Sequence, residues 1–198
     1  GVFSFADGLR LVATRGQLMQ DAALAAPSTM VAVMGDETAV LTLCDDVRGN
    51  DDILVPANFN APGQIVLSGS VSACERVGAQ AGDVGLRATP LSVAGAFHSP
   101  FMESAARGMR DAFQGTELQT PKVDVWSNVT AMLHEPETMV DCLVEQITSS
   151  VRGSHACTRM ASEYDGCTWH ELAPSSVLRG LMRRIDRNVK VHSHDEPT

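Results

Sequence analysis

Long apolar runs are missing from this 198-residue chain, and aromatic residues are scarce, with two Trp and one Tyr. No stretch approaches the roughly 20 apolar residues that a membrane helix needs, so no membrane association is expected. Residues 1–4 lead straight into a helix pattern without a signal-like segment. Internal repeats and low-complexity tracts are absent too. Positive charge is in short supply: 15 Lys and Arg stand against 24 Asp and Glu, a formal net charge of −9. Nonspecific nucleic-acid binding needs a basic surface, so nucleic acid is not an expected partner. An acidic protein partner would need a local basic patch, for which Arg179, Arg183, Arg184 and Arg187 are the best candidates. The five cysteines (Cys44, Cys74, Cys142, Cys157, Cys167) are odd in number and form no C-x-x-C. This excludes a disulfide scaffold and a zinc ribbon, and no metal site is expected. Small core-filling thiols in a reducing cytoplasm are the simple reading.

What is present is ordinary globular material: 44% of residues are hydrophobic, and the length suits one large domain or two small ones. Residues 4–25 read as a helix capped by Ser4, with Asp7 in its first turn. Leu9, Val12, Ala13, Gly16 and Met19 form one row, and Leu11, Leu18 and Ala22 a second, which predicts a mostly buried helix. Arg15 lies on the second row and is expected to be partly desolvated. Its anion is either an internal carboxylate or a ligand.

Residues 29–34 read as a strand, followed by a helix capped by Asp36 with Val40, Leu43, Cys44 and Val47 inward. Strands are expected at 53–58 and 64–67, around an Asn60-Ala61-Pro62-Gly63 turn. Ser72-x-x-Glu75 resembles a capping box for a helix with Ala73, Val77, Ala81 and Val84 inward, and a strand follows at 86–94. The order β-α-β-β-α-β matches the ferredoxin-like unit. Beyond it a helix after residue 98 buries Met102, Ala105, Ala106, Met109 and Phe113. Further expectations are a strand at 123–127, helices at 136–149 and 153–163, and a strand at 168–172. A last helix, started by Ser176, carries Val177, Leu178, Leu181, Met182 and Ile185 inward. Alternating strands and helices predict a parallel, α/β-type sheet. The tail 191–198 reads as disordered.

Gly95-Ala96-Phe97-His98-Ser99-Pro100 places a histidine between an apolar run and a helix start, with Ser99 a natural cap and Pro100 suited to the first turn. The positive end of a helix favours neutral imidazole, the form a general base needs. A partly buried histidine bonded to nearby backbone fits the same pattern.

That segment, together with Arg15-Gly16-Gln17-Leu18-Met19-Gln20, residues 55–64 (Val55-Pro56-Ala57-Asn58-Phe59-Asn60-Ala61-Pro62-Gly63-Gln64), Ser127-Asn128-Val129 and Val144-Glu145-Gln146-Ile147-Thr148-Ser149, resembles the malonyl-CoA:acyl carrier protein transacylase family over residues 1–185. The resemblance implies an α/β-hydrolase-like core (1–26 and 96–190) carrying a ferredoxin-like subdomain (28–95). It implies transfer of malonyl from coenzyme A to the phosphopantetheine thiol of acyl carrier protein in fatty-acid biosynthesis, through an acyl-serine. No resident cofactor is implied, since the phosphopantetheine belongs to the partner. His98 would be the general base and Gln146 would orient it through its backbone carbonyl. Arg15 would grip the malonyl carboxylate, because a guanidinium fork donates two parallel bonds to it. Met19, Asn58 and Asn60 would line the pocket, and Phe97 matches the malonyl-selective form of the motif.

The chain departs from the family in two places. No G-x-S-x-G elbow occurs in it, so the acyl-serine has no counterpart here. On that ground the chain alone is expected to be inactive; the opening Gly1-Val2-Phe3 without Met reads as a fragment, and loss of the first strands of a parallel sheet is expected to expose an apolar edge and leave the chain poorly stable. Glu171-Leu172-Ala173-Pro174-Ser175-Ser176 also lacks the family's glycines. Two alternatives remain at this stage: the acyltransferase domain of a polyketide synthase, and a serine-less remnant that at most binds acyl carrier protein.

Overall fold

The computed structural model describes residues 1–50, 52–172 and 174–195. Helix α1 (Phe5–Ala25) starts where Ser4 Oγ accepts the Asp7 N–H at 3.1 Å, which satisfies one of the orphan donors of a helix start. It leads into strand β1 (Ser28–Met34). Helix α2 (Glu37–Val47) is capped by Asp36 and buries Val40, Leu43, Cys44 and Val47, as its spacing predicts. Strands β2 (Leu54–Ala61) and β3 (Gln64–Ser70) form a hairpin through Pro62-Gly63. Gly63 turns there at φ +68°, a conformation glycine adopts without steric cost. Helix α3 (Val71–Gln80) and strand β4 (Arg87–Pro90) complete the unit.

The strand order is β2-β3-β1-β4, and every pairing is antiparallel. Each strand therefore has alternating faces. Val31, Val33, Ile65 and Leu67 pack against α2 and α3, while Met30, Ala57 and Val66 form a second cluster on the opposite face. The site lies on that opposite face.

The other layer is helical. Helix α4 (Glu103–Gln114) follows a single 3-10 turn at 100–102 and packs along α1, and α5 (Met139–Glu145) packs on α4. Met102, Ala105, Ala106, Met109 and Phe113 are buried there with Leu11, Met19, Ala22, Val144 and Ile147. Phe97 touches both this cluster and the one on the sheet, so it joins the two layers. Helices α6 (Gly153–Glu163) and α7 (Val177–Ile185) flank β2, and strands β5 (Trp169–Leu172) and β6 (Val191–His194) pair in parallel. No described helix is long and apolar enough to cross a membrane.

Several expectations are corrected. The four-stranded sheet is antiparallel throughout, because each β-α-β crossover leaves room for a strand running the other way between its two strands, and the parallel sheet expected beyond residue 98 is reduced, among the described residues, to the β5–β6 pair. The cap of α3 is Ser70, which accepts the Ala73 N–H, not Ser72, which lies inside the first turn. The segment 123–127 makes one isolated bridge, Trp126 with Leu133, since no described strand lies beside it to form a ladder. The predicted helix at 136–149 is a 3-10 turn at 136–138 and then α5, giving way to turns after Glu145.

The tail is not wholly disordered. His192 and His194 lie on β6, and His170 Nδ1 sits 2.8 Å from His194 Nε2. Residues 196–198 of that expectation, and Ala173, lie outside the described residues. Ser176 makes no capping bond. Instead the Glu171 carboxylate accepts the Leu178 and Arg179 N–H groups at 2.6 and 2.9 Å and the Ser193 hydroxyl at 3.0 Å. Leu9, Val12, Val84, Val177 and Leu178 are exposed rather than inward. Cys44 and Cys74 fill the core as expected, whereas Cys167 is exposed.

Candidate functional site

Past β4 the chain crosses the open face of the sheet and meets α1 at Gly95. A Cβ at Gly95 would lie 2.7 Å from the Cβ of Ala23, closer than real side chains approach, so only glycine lets this segment run against the helix. Ala96 is held at both ends of its residue: its N–H donates to Ser28 Oγ at 3.0 Å, and its carbonyl accepts the Ser99 hydroxyl at 2.6 Å. Ser99 Oγ also accepts the Phe101 N–H, which starts the 3-10 turn as the sequence predicts. His98 stands between these anchors at φ +55°, in the left-handed region that non-glycine residues rarely enter.

The His98 ring is fixed by Gln146. Gln146 follows the last residue of α5, where backbone carbonyls lose their helical partners. Its carbonyl lies 2.8 Å from His98 Nδ1. A carbonyl can only accept, so Nδ1 carries the hydrogen and the neutral ring keeps its lone pair on Nε2. Burial pushes the imidazole pKa down, the Gln146 carbonyl opposes this, and the nearby Arg15 charge lowers it further. Burial first, and the Arg15 charge after it, favour the neutral ring expected from the sequence.

Arg15 reaches the same place from α1. Its Nη2 donates to the Gln146 side-chain Oε1 at 2.8 Å, so one residue holds the histidine with its backbone and the arginine with its side chain. Arg15 is half-buried, and burial presses its pKa below the ordinary value. Among the described residues no carboxylate pairs with it. Of the two anions open on sequence grounds, the internal carboxylate is not found among the described residues.

Arg15, Met19, Asn58, Asn60, Phe97 and His98 border a single cavity of about 530 Å³, closed on the sheet side by Met30, Val66 and Leu91. Asn58 and Asn60 are on β2, whose outer edge is held by residues 150–151: Phe59 N–H donates to the Val151 carbonyl, and Val151 N–H donates to that of Ala57. The segment after Gln146 thus ties the asparagine strand to the histidine. Every site residue expected from the sequence meets here, Gln146 through its bonds to His98 and Arg15. Arg15 and Gln146 also border a second, mostly apolar cavity of about 420 Å³ among Leu11, Val12, Met109, Phe113 and Trp126.

Sequence reading missed Ser28 and Ser68, which hold the histidine segment from the sheet. Ser68 had a signal, a lone hydroxyl after the apolar run Ile65-Val66-Leu67. Among the described residues no group of three His, Cys, Asp or Glu side chains is arranged to hold a metal ion.

The profile of the acyl transferase domain matches residues 1–193. The chain belongs to the acyl transferase domain family. The malonyl CoA-acyl carrier protein transacylase of Bacillus subtilis is 33% identical over 200 residues, covering all of this acyl transferase chain and 63% of the relative. The crystal structure of the malonyl-CoA:acyl carrier protein transacylase of Xanthomonas oryzae superposes with a TM-score of 0.89 at 37% identity, over 98% of this chain and 62% of that one. A malonyl-transacylase solved in complex with a type II PKS acyl-carrier protein superposes with a TM-score of 0.90 at 31% identity, over all of this chain and 64% of that one. The chain thus spans less than two thirds of the length of these relatives. The mixed helix and strand architecture agrees with theirs.

Proposed function

We propose that this chain is the larger part of an enzyme that moves malonyl from coenzyme A to the phosphopantetheine thiol of acyl carrier protein, a step of fatty-acid biosynthesis in the cytoplasm. The observation that carries this reading is an Arg15 guanidinium, paired with no carboxylate among the described residues, that borders one cavity with His98. A base alone would fit many reactions, but a base beside a cation that lacks an internal anion fits a substrate ending in a carboxylate.

In this reading Arg15 takes the malonyl carboxylate in a two-pronged, charge-assisted bond. Gln146 Oε1 holds the guanidinium in place. His98 Nε2 accepts the proton of the attacking serine hydroxyl, and later that of the carrier thiol, while the Gln146 carbonyl steadies the imidazolium that forms. Asn58, Asn60, Met19 and Phe97 shape the pocket around the acyl chain. The serine belongs to the G-x-S-x-G elbow of the family mechanism, and these 198 residues carry no such elbow, so the chain by itself is not expected to turn over. The reaction needs no resident cofactor. The antiparallel unit, with its strand order β2-β3-β1-β4, supports a ferredoxin-like subdomain at 28–95 on an α/β-hydrolase-like core at 1–26 and 96–190. Five unpaired thiols support the reducing compartment.

The test is calorimetric binding of malonyl-CoA and acetyl-CoA to this chain. The wild-type chain should favour malonyl-CoA, and Arg15→Ala should lose that preference, by about ten- to a hundredfold for a charge-assisted pair. Equal affinity of the wild-type chain for both thioesters overturns the assignment. The relative bound to a type II PKS acyl-carrier protein favours a second reading, in which the recipient is a polyketide carrier. Competition between the two carrier types for the chain separates the readings.

A further inference from the structure

The site face of the sheet is apolar at Met30 and Val66, yet the next residue of β3 on that face is Ser68, which is completely buried. A buried hydroxyl costs free energy unless it is bonded, and an apolar side chain would fit such a face without that cost. Ser68 does not spend its hydroxyl within its own sheet. It donates at 2.7 Å to the carbonyl of Phe97, 29 residues away.

That carbonyl belongs to the peptide group between Phe97 and His98. The orientation of this peptide plane is set by ψ of Phe97 and φ of His98, so fixing the oxygen fixes the dihedral at which His98 enters the site. His98 sits at φ +55°, a conformation that persists where surrounding contacts over-determine it. Two peptides earlier, between Gly95 and Ala96, Ser28 from the paired strand β1 accepts the Ala96 N–H at 3.0 Å. Ser28 and Ser68 lie on the same face, since Ser68 stands opposite Met30 in the register and Ser28 is two residues before Met30. The sheet therefore presents a two-serine seat to the histidine segment, while Gln146 holds the ring from the other side.

We infer that Ser68 is a positioning residue for His98, its hydroxyl locking the Phe97–His98 peptide so that the ring stays on Gln146 with Nε2 turned to the cavity. The inference deepens the reading of His98 as the base, but its geometry stands without catalysis. Loss of the hydroxyl frees the peptide to relax out of the left-handed region, and the ring then leaves both the Gln146 carbonyl and its buried place near Arg15.

The experiment is NMR of the ring nitrogens and carbons of His98 in this chain, assigned by comparison with His98→Gln. In the wild-type chain the Nδ1–H tautomer should dominate. Ser68→Ala should shift its titration upward toward an ordinary imidazole and mix the tautomers, while Ser68→Thr, which keeps the hydroxyl, should restore both. Ser68→Cys keeps the shape but donates weakly, and it should follow Ser68→Ala, which keeps the test alive if the alanine variant does not fold. An unchanged His98 titration and tautomer in Ser68→Ala or Ser68→Cys overturns the inference, whatever happens to thermal stability. So does a Ser68→Thr variant that behaves as the alanine variant does. If His98 responds as expected but malonyl-CoA shows no preference over acetyl-CoA, the seat stands and the proposed substrate falls.

Discussion

On α2 the residues Val40, Leu43, Cys44 and Val47 are all buried, whereas on α1 Leu9 and Val12 are 61% and 67% exposed, and Phe5 is 88% exposed. Both helices carry a regular apolar pattern. The difference lies in what faces them. The antiparallel unit supplies its own cover: two helices close one side of a four-stranded sheet, and the alternation along each strand sends Val31, Val33, Ile65 and Leu67 to that side. Helix α1 packs on α4 through Leu11, Met19, Ala22 and Ala23, and nothing among the described residues covers Leu9 and Val12 at the start of its other row. An apolar row states which side chains favour burial. Whether they are buried depends on a second surface, which the row does not encode.

Substitutions on the two sides should sharpen this contrast. Leu67→Ala, at a fully buried position of the sheet unit, should cost about 2–5 kcal/mol in urea unfolding because it leaves a cavity among close-packed neighbours. A cost comparable to a surface change would mean that the unit is not the stable half.

The site between the halves responds to pH in a defined direction. Burial and the Arg15 charge hold the His98 pKa below the ordinary imidazole value, so it should gain its proton at a lower pH than a free imidazole does. A carboxylate bound on Arg15 offsets the guanidinium charge, so malonyl-CoA should move the His98 titration upward. NMR titration with and without malonyl-CoA reads both effects.

Glu171 ties the β5–β6 pair to α7. Burial pushes its carboxyl pKa up, but the Arg179 and Leu178 N–H groups, the Ser193 hydroxyl and the Arg179 charge outweigh this and hold it below the ordinary carboxylate value. Its stabilising contribution is present above the unfolded-state pKa and is lost as the pH falls through the lower folded value. Glu171→Gln should remove this acid-dependent loss, with hydrogen exchange in α7 and β6 as the readout. The smallest effect belongs to α1: Leu9→Ser should change stability by no more than about 0.5 kcal/mol, since Leu9 has little burial to lose. A large loss there would show that α1 is covered in solution.

The sheet unit was legible because its signals are local. Asp36 caps α2, the Pro62-Gly63 turn sits between two strand patterns, and beyond the unit the 3-10 turn and α4 together bury the five residues their spacing predicts. Errors came where a local pattern needed a distant partner. The stretch 123–127 has strand character but no neighbour to pair with, and the first hydroxyl that can cap α3 is two residues earlier than the capping-box pattern placed it. In the same way, the tail residues 191–194 are ordered by β5, a pairing that local composition does not reveal. The site residues were reached through a family pattern spread over some 130 positions, from Arg15 to Gln146. Ser28 and Ser68 escaped because a serine on a strand looks the same whether it points at solvent or at a carbonyl across the fold.

The amino-acid sequence by itself determined the order of the elements in the four-stranded sheet unit, the apolar faces of α2 and α4, the family, and the residue types that meet in the cavity. These follow from short-range periodicity and from motifs that keep their order along the chain. The tertiary structure alone decided that Gln146 serves His98 and Arg15 together, that Arg15 meets an amide and, among the described residues, no carboxylate, and that His98 is held at a left-handed dihedral from the sheet below it. Hydrogen bonds of a few ångströms between residues 29 to 131 positions apart exist only once the chain has closed, and no local preference specifies them.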